Sequence, residues 1–369
     1  MNRVRLALAL AVAVSLSVPA TAGAGDVRLN QIQVVGSHNS YHVAPAPGVL
    51  ALIAGVSPKQ AAGLAYSHRP LAEQFSKLGI RQIELDVFAD PDGGRFATPK
   101  AWATLKALGK DAGPDPDPTG ALRKPGMKVL HVPDVDYRTT APTLVDALRQ
   151  VRDWSKGHPN HVPLFVLVEL KDHKGVGFDR PALDALDAEI RSVFGPAEMI
   201  TPDDVRGGFV SLPSALQARG WPTLDAARGK VMFALDNEDA VRDRYLDGHT
   251  ALAGRVMFVS VAEGHPAAGW MKVNDVFRDF DRIQHLVKRG FLVRTRADAD
   301  TAEARANDPT RRDKALASGA QFVSTDYAEP DPALSTYQVR LPGGVVARPN
   351  PVSGPSDPSA GPDLENPAR

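Results

Sequence analysis

The chain has 369 residues, 43% of them hydrophobic, with 43 Lys plus Arg against 43 Asp plus Glu. That balance excludes a nonspecific nucleic-acid binder, which needs a basic field, and an acidic disordered solubiliser. With no cysteine, it also rules out disulfides, thiolate nucleophiles, Cys-zinc sites and iron–sulfur clusters.

The first element in chain order is an export signal. Arg3 and Arg5 precede an apolar run at 6–14 and small residues at 19–25, the tripartite pattern of a secretory signal peptide. Cleavage after Ala22 or Ala24 fits, and residues 1–24 are assigned to the signal. The run is shorter than the ~20 residues of a membrane span. No later stretch is long and apolar enough to cross a bilayer, so the expected location is secreted or periplasmic and any membrane contact is peripheral.

Eight short apolar segments follow, at 31–35, 82–88, 128–131, 163–170, 230–235, 255–261, 291–295 and 321–325. Several are rich in Val, Ile and Phe, as strands are. Helical spacing lies between many of them. Leu71, Phe75 and Leu78 share a face, as do Leu144, Ala147, Leu148, Val151 and Trp154. Residues 181–194 and 276–288 read as helices, and 309–318 has Pro309 at its start and Gly319 past its end. Strand–helix alternation predicts a mostly parallel sheet, and eight strands predict a single-domain α/β fold, a TIM-type (β/α)8 barrel over 25–341 with slack at the third and fifth strands. An open doubly wound sheet is the runner-up, disfavoured because no Gly-x-Gly-x-x-Gly follows the first strand. Residues 90–126, dense in Pro, Gly and Asp, read as an excursion on the barrel face. The tail at 342–369 holds seven prolines and reads as disordered.

Chemistry gathers at the carboxyl ends of the first four segments, the face where barrel active sites lie. The second segment alternates Ile83, Leu85 and Val87 with Glu84 and Asp86, so both carboxylates share a side and the aliphatic residues face the helices. Two inward acids need a cation or donors to compensate them, where an exposed edge strand would not. Glu169 and Lys171 likewise share a face, as a site or a simple ion pair. Asn39, Glu84, Asp86 and Glu169 offer oxygen donors, which suit Ca²⁺ or Mg²⁺; calcium is preferred for an exported protein. His38 and His42 are spaced four apart like a zinc pair, but they follow a strand and no His-Glu-x-x-His accompanies them. His38 and His131, at neighbouring strand ends beside the acids, suit acid–base work. His158, His161, His265 and His285 read as surface residues.

At these residues the sequence resembles the bacterial calcium-dependent phosphoinositide-specific phospholipase C family, among the barrel phosphodiesterases. The matching stretches, in order, are 28–41 with Gly36-Ser37-His38-Asn39-Ser40-Tyr41, 80–87 with Glu84-Leu85-Asp86, and 128–136 with Leu130-His131. They continue with 168–172 carrying Glu169-Leu170-Lys171-Asp172, 293–298 carrying Arg294-Thr295-Arg296-Ala297-Asp298, and 322–327 with Ser324-Thr325-Asp326-Tyr327.

The resemblance implies one calcium ion held by Asn39, Glu84, Asp86 and Glu169. It implies a phosphoinositide lipid substrate, attack by the inositol 2-hydroxyl and a 1,2-cyclic phosphate product beside diacylglycerol. Glu84 or Glu169 would take the hydroxyl proton, His38 would stabilise the phosphorane, and His131 would protonate the leaving oxygen. Apart from the resemblance, Lys171 shares the inward face of Glu169 and would bind phosphate or balance the acids, and Arg294 and Arg296 share a face late in the seventh segment and would hold a phosphorylated headgroup or pair with the acids. The apolar segment 48–65 reads as a helix over the barrel mouth, with a lipid-touching lid as the other reading. A glycerophosphodiester phosphodiesterase acting on a soluble substrate, and an exported binding protein without catalysis, are the alternatives. Nothing in the sequence points to a protein partner.

Overall fold

The structure, a computed structural model, describes residues 27–354 and 363–366. The signal peptide assigned to 1–24 lies outside the described residues. Ten strands follow in order: β1 (Ile32–Ser37), β2 (Gln82–Phe88), β3 (Lys128–Val129), β4 (Leu164–Lys171) and β5 (Val231–Leu235), then β6 (Met257–Ser260), β7 (Ala268–Lys272), β8 (Leu292–Arg296), β9 (Phe322–Thr325) and β10 (Ala347–Pro349). Eight of them pair in parallel in the order β1-β9-β8-β7-β6-β5-β4-β2, and β1 meets β2 to close a TIM-type barrel. The closing pair is Gly36 with Gln82; a Cβ on Gly36 would lie 1.9 Å from the Gln82 side-chain oxygen, so only glycine permits this approach.

One expected strand needs correction, and one barrel strand was not expected. The segment at 128–131 is not a barrel strand: β3 is two residues long and runs antiparallel to the end of β2. The missing barrel strand is β7. It follows β6 after only seven residues, too few for a crossover helix, so no helical period announces it. The tail also differs from expectation. β10 pairs antiparallel with β1, Leu364 is buried, and Glu365 forms an ion pair with Arg81 at the amino end of the barrel. Its described residues are held by backbone pairing, by Ala347 and Leu364 buried in the core with Val345 and Val352 packed against it, and by the Glu365 ion pair. His161, read as surface, is buried and bonded to Ser155 Oγ.

The barrel strands are buried on both sides, which explains the unbroken apolar run of β4. Phe165 and Phe322 stack with centroids 4.2 Å apart in the lumen, and Trp270 lies 5.8 Å from Phe165. This apolar floor leaves the polar residues of the same strands to the mouth. Outside, amphipathic helices such as Leu144–Gly157 and Val276–Lys288 cover the sheet; Thr143 and Asp275 cap them by accepting backbone N–H groups. Residues 90–126 form the expected excursion. Its helix Lys100–Ala107 packs Ala101 and Leu105 against Ala46 and Val49, so the helix Pro47–Val56 is seated beside the mouth.

Candidate active site

The acid cluster is a product of strand register. Asp86 on β2 pairs with Glu169 on β4, and parallel partners project to one side. Carboxylate oxygens of Glu84, Asp86 and Glu169 lie within 4.8 Å of one another. Lys171 Nζ is 2.7 Å from Glu169 Oε1 and 3.3 Å from Asp86 Oδ2. From β8, Arg294 Nη2 reaches Glu84 Oε2 at 2.5 Å, while Nη1 donates to Asn274 Oδ1. The loop after β1 is pinned to this cluster by Ser40, whose N–H donates to Glu84 O and whose Oγ accepts the Glu84 N–H, both at 2.9 Å. That turn holds Asn39 at φ 45°, a left-handed conformation asparagine tolerates.

Burial dominates the electrostatics. It pushes Glu84 up to about 8, with Asp236, Asp86 and Glu169 adding to the rise and Arg294 opposing it. Asp86 is pushed up to about 7 by burial and by Glu169, against Lys171. Burial pulls Lys171 down, but Asp86 and Glu169 outweigh it and hold the ammonium at about 12. Oδ1 of Asp86 and Oδ1 of Asn39 are buried with no hydrogen-bond partner among the described residues, and Asp86 Oδ2 meets only the Lys171 ammonium at 3.3 Å. Unpartnered buried oxygens beside carboxylates that resist ionisation fit a divalent cation, and an all-oxygen set from Asn39, Glu84, Asp86 and Glu169 fits calcium.

Each of the two expected histidines is backed by its own carboxylate. His38 Nδ1 lies 2.7 Å from Asp326 Oδ1, and His131 Nδ1 lies 2.7 Å from Asp136 Oδ2. Asp326, just past β9, is held by its N–H to Asp298 Oδ1 at 2.8 Å and by Arg296 Nη2 at 3.2 Å. Burial, then the Arg296 charge, lowers His38 to about 3 despite Asp326. Burial alone would also lower His131, but the Asp136 hydrogen bond and charge win and its pKa rises. His38, Asn39, Tyr66, His131, Arg296 and Asp326 line one cavity of about 800 Å³ at the barrel mouth. Glu84 Oε1 lies 3.7 Å from His38 Nε2 and joins the acid cluster to it.

All the expected site residues thus meet at one end of the barrel, His131 included, although β3 stands outside it. Lys171 and Arg294 are partners of the acids, and Arg296 lines the cavity while engaging Asp326. Sequence reasoning assigned no role to Asp136 or Asp326, though both fall inside the matching stretches. The pairing of His42 with Asp136 Oδ1 at 2.9 Å had no local signal.

A model of the family described as Phosphoinositide phospholipase C, Ca²⁺-dependent, matches residues 27–351. No curated protein matches the chain. Among solved structures, a Ca²⁺-dependent phosphatidylinositol-specific phospholipase C from Streptomyces antibioticus aligns with TM-score 0.53 at 18% identity, over 82% of this chain and 95% of that one. The calcium-dependent phosphoinositol-specific phospholipase C of a Pseudomonas species aligns with TM-score 0.51 at 17% identity, over 88% and 96%. At these identities the structural likeness carries the fold.

Proposed function

Because the chain belongs to the Ca²⁺-dependent phosphoinositide phospholipase C family, and is a phosphoric diester hydrolase by that membership, we propose that it cleaves phosphatidylinositol to diacylglycerol and inositol 1,2-cyclic phosphate. The observation that carries this reading is the pair of imidazoles, each with Nδ1 held by its own carboxylate, facing one cavity beside an oxygen-donor cluster. Asn39, Glu84, Asp86 and Glu169 would hold the calcium. When bound, it supplies positive charge beside the phosphate and eases ionisation of the attacking hydroxyl.

The chain's own groups divide the proton work. His38 donates Nδ1–H to Asp326, which leaves a lone pair on Nε2, and burial keeps the ring neutral. It accepts the proton of the inositol 2-hydroxyl. The resulting imidazolium is stabilised by Asp326 and faces the charge developing on phosphorus. Glu84 and Glu169, first expected as bases, are engaged by Arg294 and Lys171. His131, whose pKa is raised by the Asp136 hydrogen bond and charge, gives its Nε2 proton to the departing diacylglycerol oxygen. Water then opens the cyclic ester with the roles reversed.

The headgroup is proposed to be unphosphorylated or glycosylated. Four cations at the mouth are already matched: Arg294 with Glu84, Arg296 with Asp326, Lys171 with Asp86 and Glu169, and Lys272 with Asp236 at 2.7 Å. A ring phosphate would need one of them freed. Peripheral membrane contact is assigned to the cavity rim, where Leu52, Val56 and Val132 are exposed and Lys59 stands beside them. Among the described residues no helix is long and apolar enough to cross a membrane. The proposed export through residues 1–24 would bring the enzyme to a compartment where calcium is available.

The test is turnover of phosphatidylinositol vesicles with calcium, followed by phosphorus NMR. A cyclic inositol phosphate that appears before the open monoester is expected. Glycerol phosphate released from glycerophosphoinositol without any cyclic species would sink the reading.

A further inference from the structure

We propose that His42 is a positioning residue of the reaction: through Asp136 it fixes the ring orientation of His131 and the Nδ1–H that anchors it, and through its backbone it ties that histidine to the turn at Asn39. The inference rests on the phospholipase reading above. His42 is fully buried and lines no part of the cavity. Its Nε2 lies 2.9 Å from both oxygens of Asp136, and His131 Nδ1 lies 2.7 Å from one of them. Asp136 is itself fully buried, so these two imidazoles are the donors that satisfy its charge.

The geometry dictates the tautomers. An ionised carboxylate only accepts, so His42 carries its proton on Nε2 and His131 carries one on Nδ1. His131 Nε2 is thereby left for the substrate. If His42 lost its donor, one Asp136 oxygen would turn to seek another, and the ring of His131 would lose its fixed orientation. The same three side chains have the donor set of a transition-metal site. Their N···O separations of 2.7 and 2.9 Å are those of hydrogen bonds.

The surroundings leave His42 no freedom. Its ring stacks on Tyr66 at 4.4 Å and stands edge-on to His131 at 6.0 Å. Its N–H donates to Asn39 O at 2.8 Å, and its carbonyl accepts from His68 N–H at 2.8 Å. Val43 N–H to Arg138 O and Thr140 N–H to Tyr41 O join the two loops on either side. One residue thus sets the loop of a calcium ligand against the loop of the general acid.

The experiment compares wild type, His42→Leu, His42→Gln and His131→Ala on phosphatidylinositol vesicles with saturating calcium, each corrected for folded fraction. Leucine fills the space without a donor, whereas the glutamine amide nitrogen replaces Nε2–H. The expected result is a fall in kcat of about 10²-fold for His42→Leu with KM unchanged, and recovery to near wild type in His42→Gln. Equal losses in both, or wild-type kcat in His42→Leu, would overturn the proposal. Active His131→Ala would instead sink the phospholipase reading. Should His42→Leu not fold, ¹⁵N NMR of the wild-type histidines decides: protons on His42 Nε2 and His131 Nδ1 are expected, and the opposite tautomer on His42 refutes it.

Discussion

Arg294 on β8 reaches across the barrel lumen and places Nη2 2.5 Å from Oε2 of Glu84 on β2, with both side chains buried. The guanidinium opposes the burial that drives Glu84 up to about 8. Replacing Arg294 by Met removes that help, so Glu84 holds its proton to still higher pH. Calcium must then displace a proton at neutral pH. The calcium midpoint of activity is expected to rise about tenfold for each unit of added pKa. The deficit should shrink at alkaline pH, where Glu84 ionises anyway. A pH-independent deficit would contradict this account.

With Glu84 and Asp86 as the proposed calcium ligands, calcium and protons should compete for the same oxygens. Glu84 and Asp86 sit at about 8 and about 7 in the metal-free fold, against about 4 for carboxylates in an unfolded chain. Their folded pKa values are raised, so the folded state binds more protons over this window. Their contribution to stability is present below about pH 4 and is lost as pH rises through about 7–8. The Tm of the calcium-free protein should fall over that range, and the Tm gain from added calcium should grow. Calorimetry in buffers of different ionisation enthalpy should show protons released on binding.

Asp136 raises the pKa of His131, so the proposed general acid stays protonated to higher pH than it would without that carboxylate. Asp136→Asn removes the charge. The alkaline limb of the kcat/KM profile should move to lower pH, with a rate loss of about 10²-fold or more. An unmoved limb would show that His131 does not titrate in the reaction.

The rim residues separate interface from chemistry. Val56, 87% exposed, and Leu52 project from the helix Pro47–Val56 beside the cavity. Val56→Asp should lower turnover of vesicles several-fold and leave turnover of a monomeric short-chain substrate unchanged. Equal loss on both substrates would place Val56 in the site instead.

At the other end of the barrel, Arg81 is buried between Glu365 and the ring of Trp154, 4.7 Å from its centroid. Glu365 also accepts the Val162 N–H at the start of β4. Glu365→Ala strands the guanidinium in the interior, and unfolding should be easier by about 3 kcal/mol, measured by urea denaturation. The site is remote, so kcat at low temperature should hold.

Seven of the eight barrel strands, the inward pair Glu84 and Asp86, and the shared face of Glu169 and Lys171 were all legible along the chain. A period of two depends only on consecutive residues, so it needs no knowledge of neighbours. β7 was not legible, because a short link from β6 carries no helix to mark it. Nor was the docking of 342–354 and 363–366, which combines backbone pairing with β1, a few scattered apolar residues such as Ala347 and Leu364, and one charge pair that the polar composition hides.

What the sequence by itself determined was the kind of chemistry: oxygen donors, two histidines and a parallel barrel to carry them on one face. Only the tertiary structure decided who pairs with whom. His38 with Asp326, Glu84 with Arg294, and His131 with Asp136 and His42 form because barrel closure and loop stitching bring distant strand ends together. No local periodicity encodes such partners, since burial sets the cost of each lone charge and only the folded neighbour can offset it.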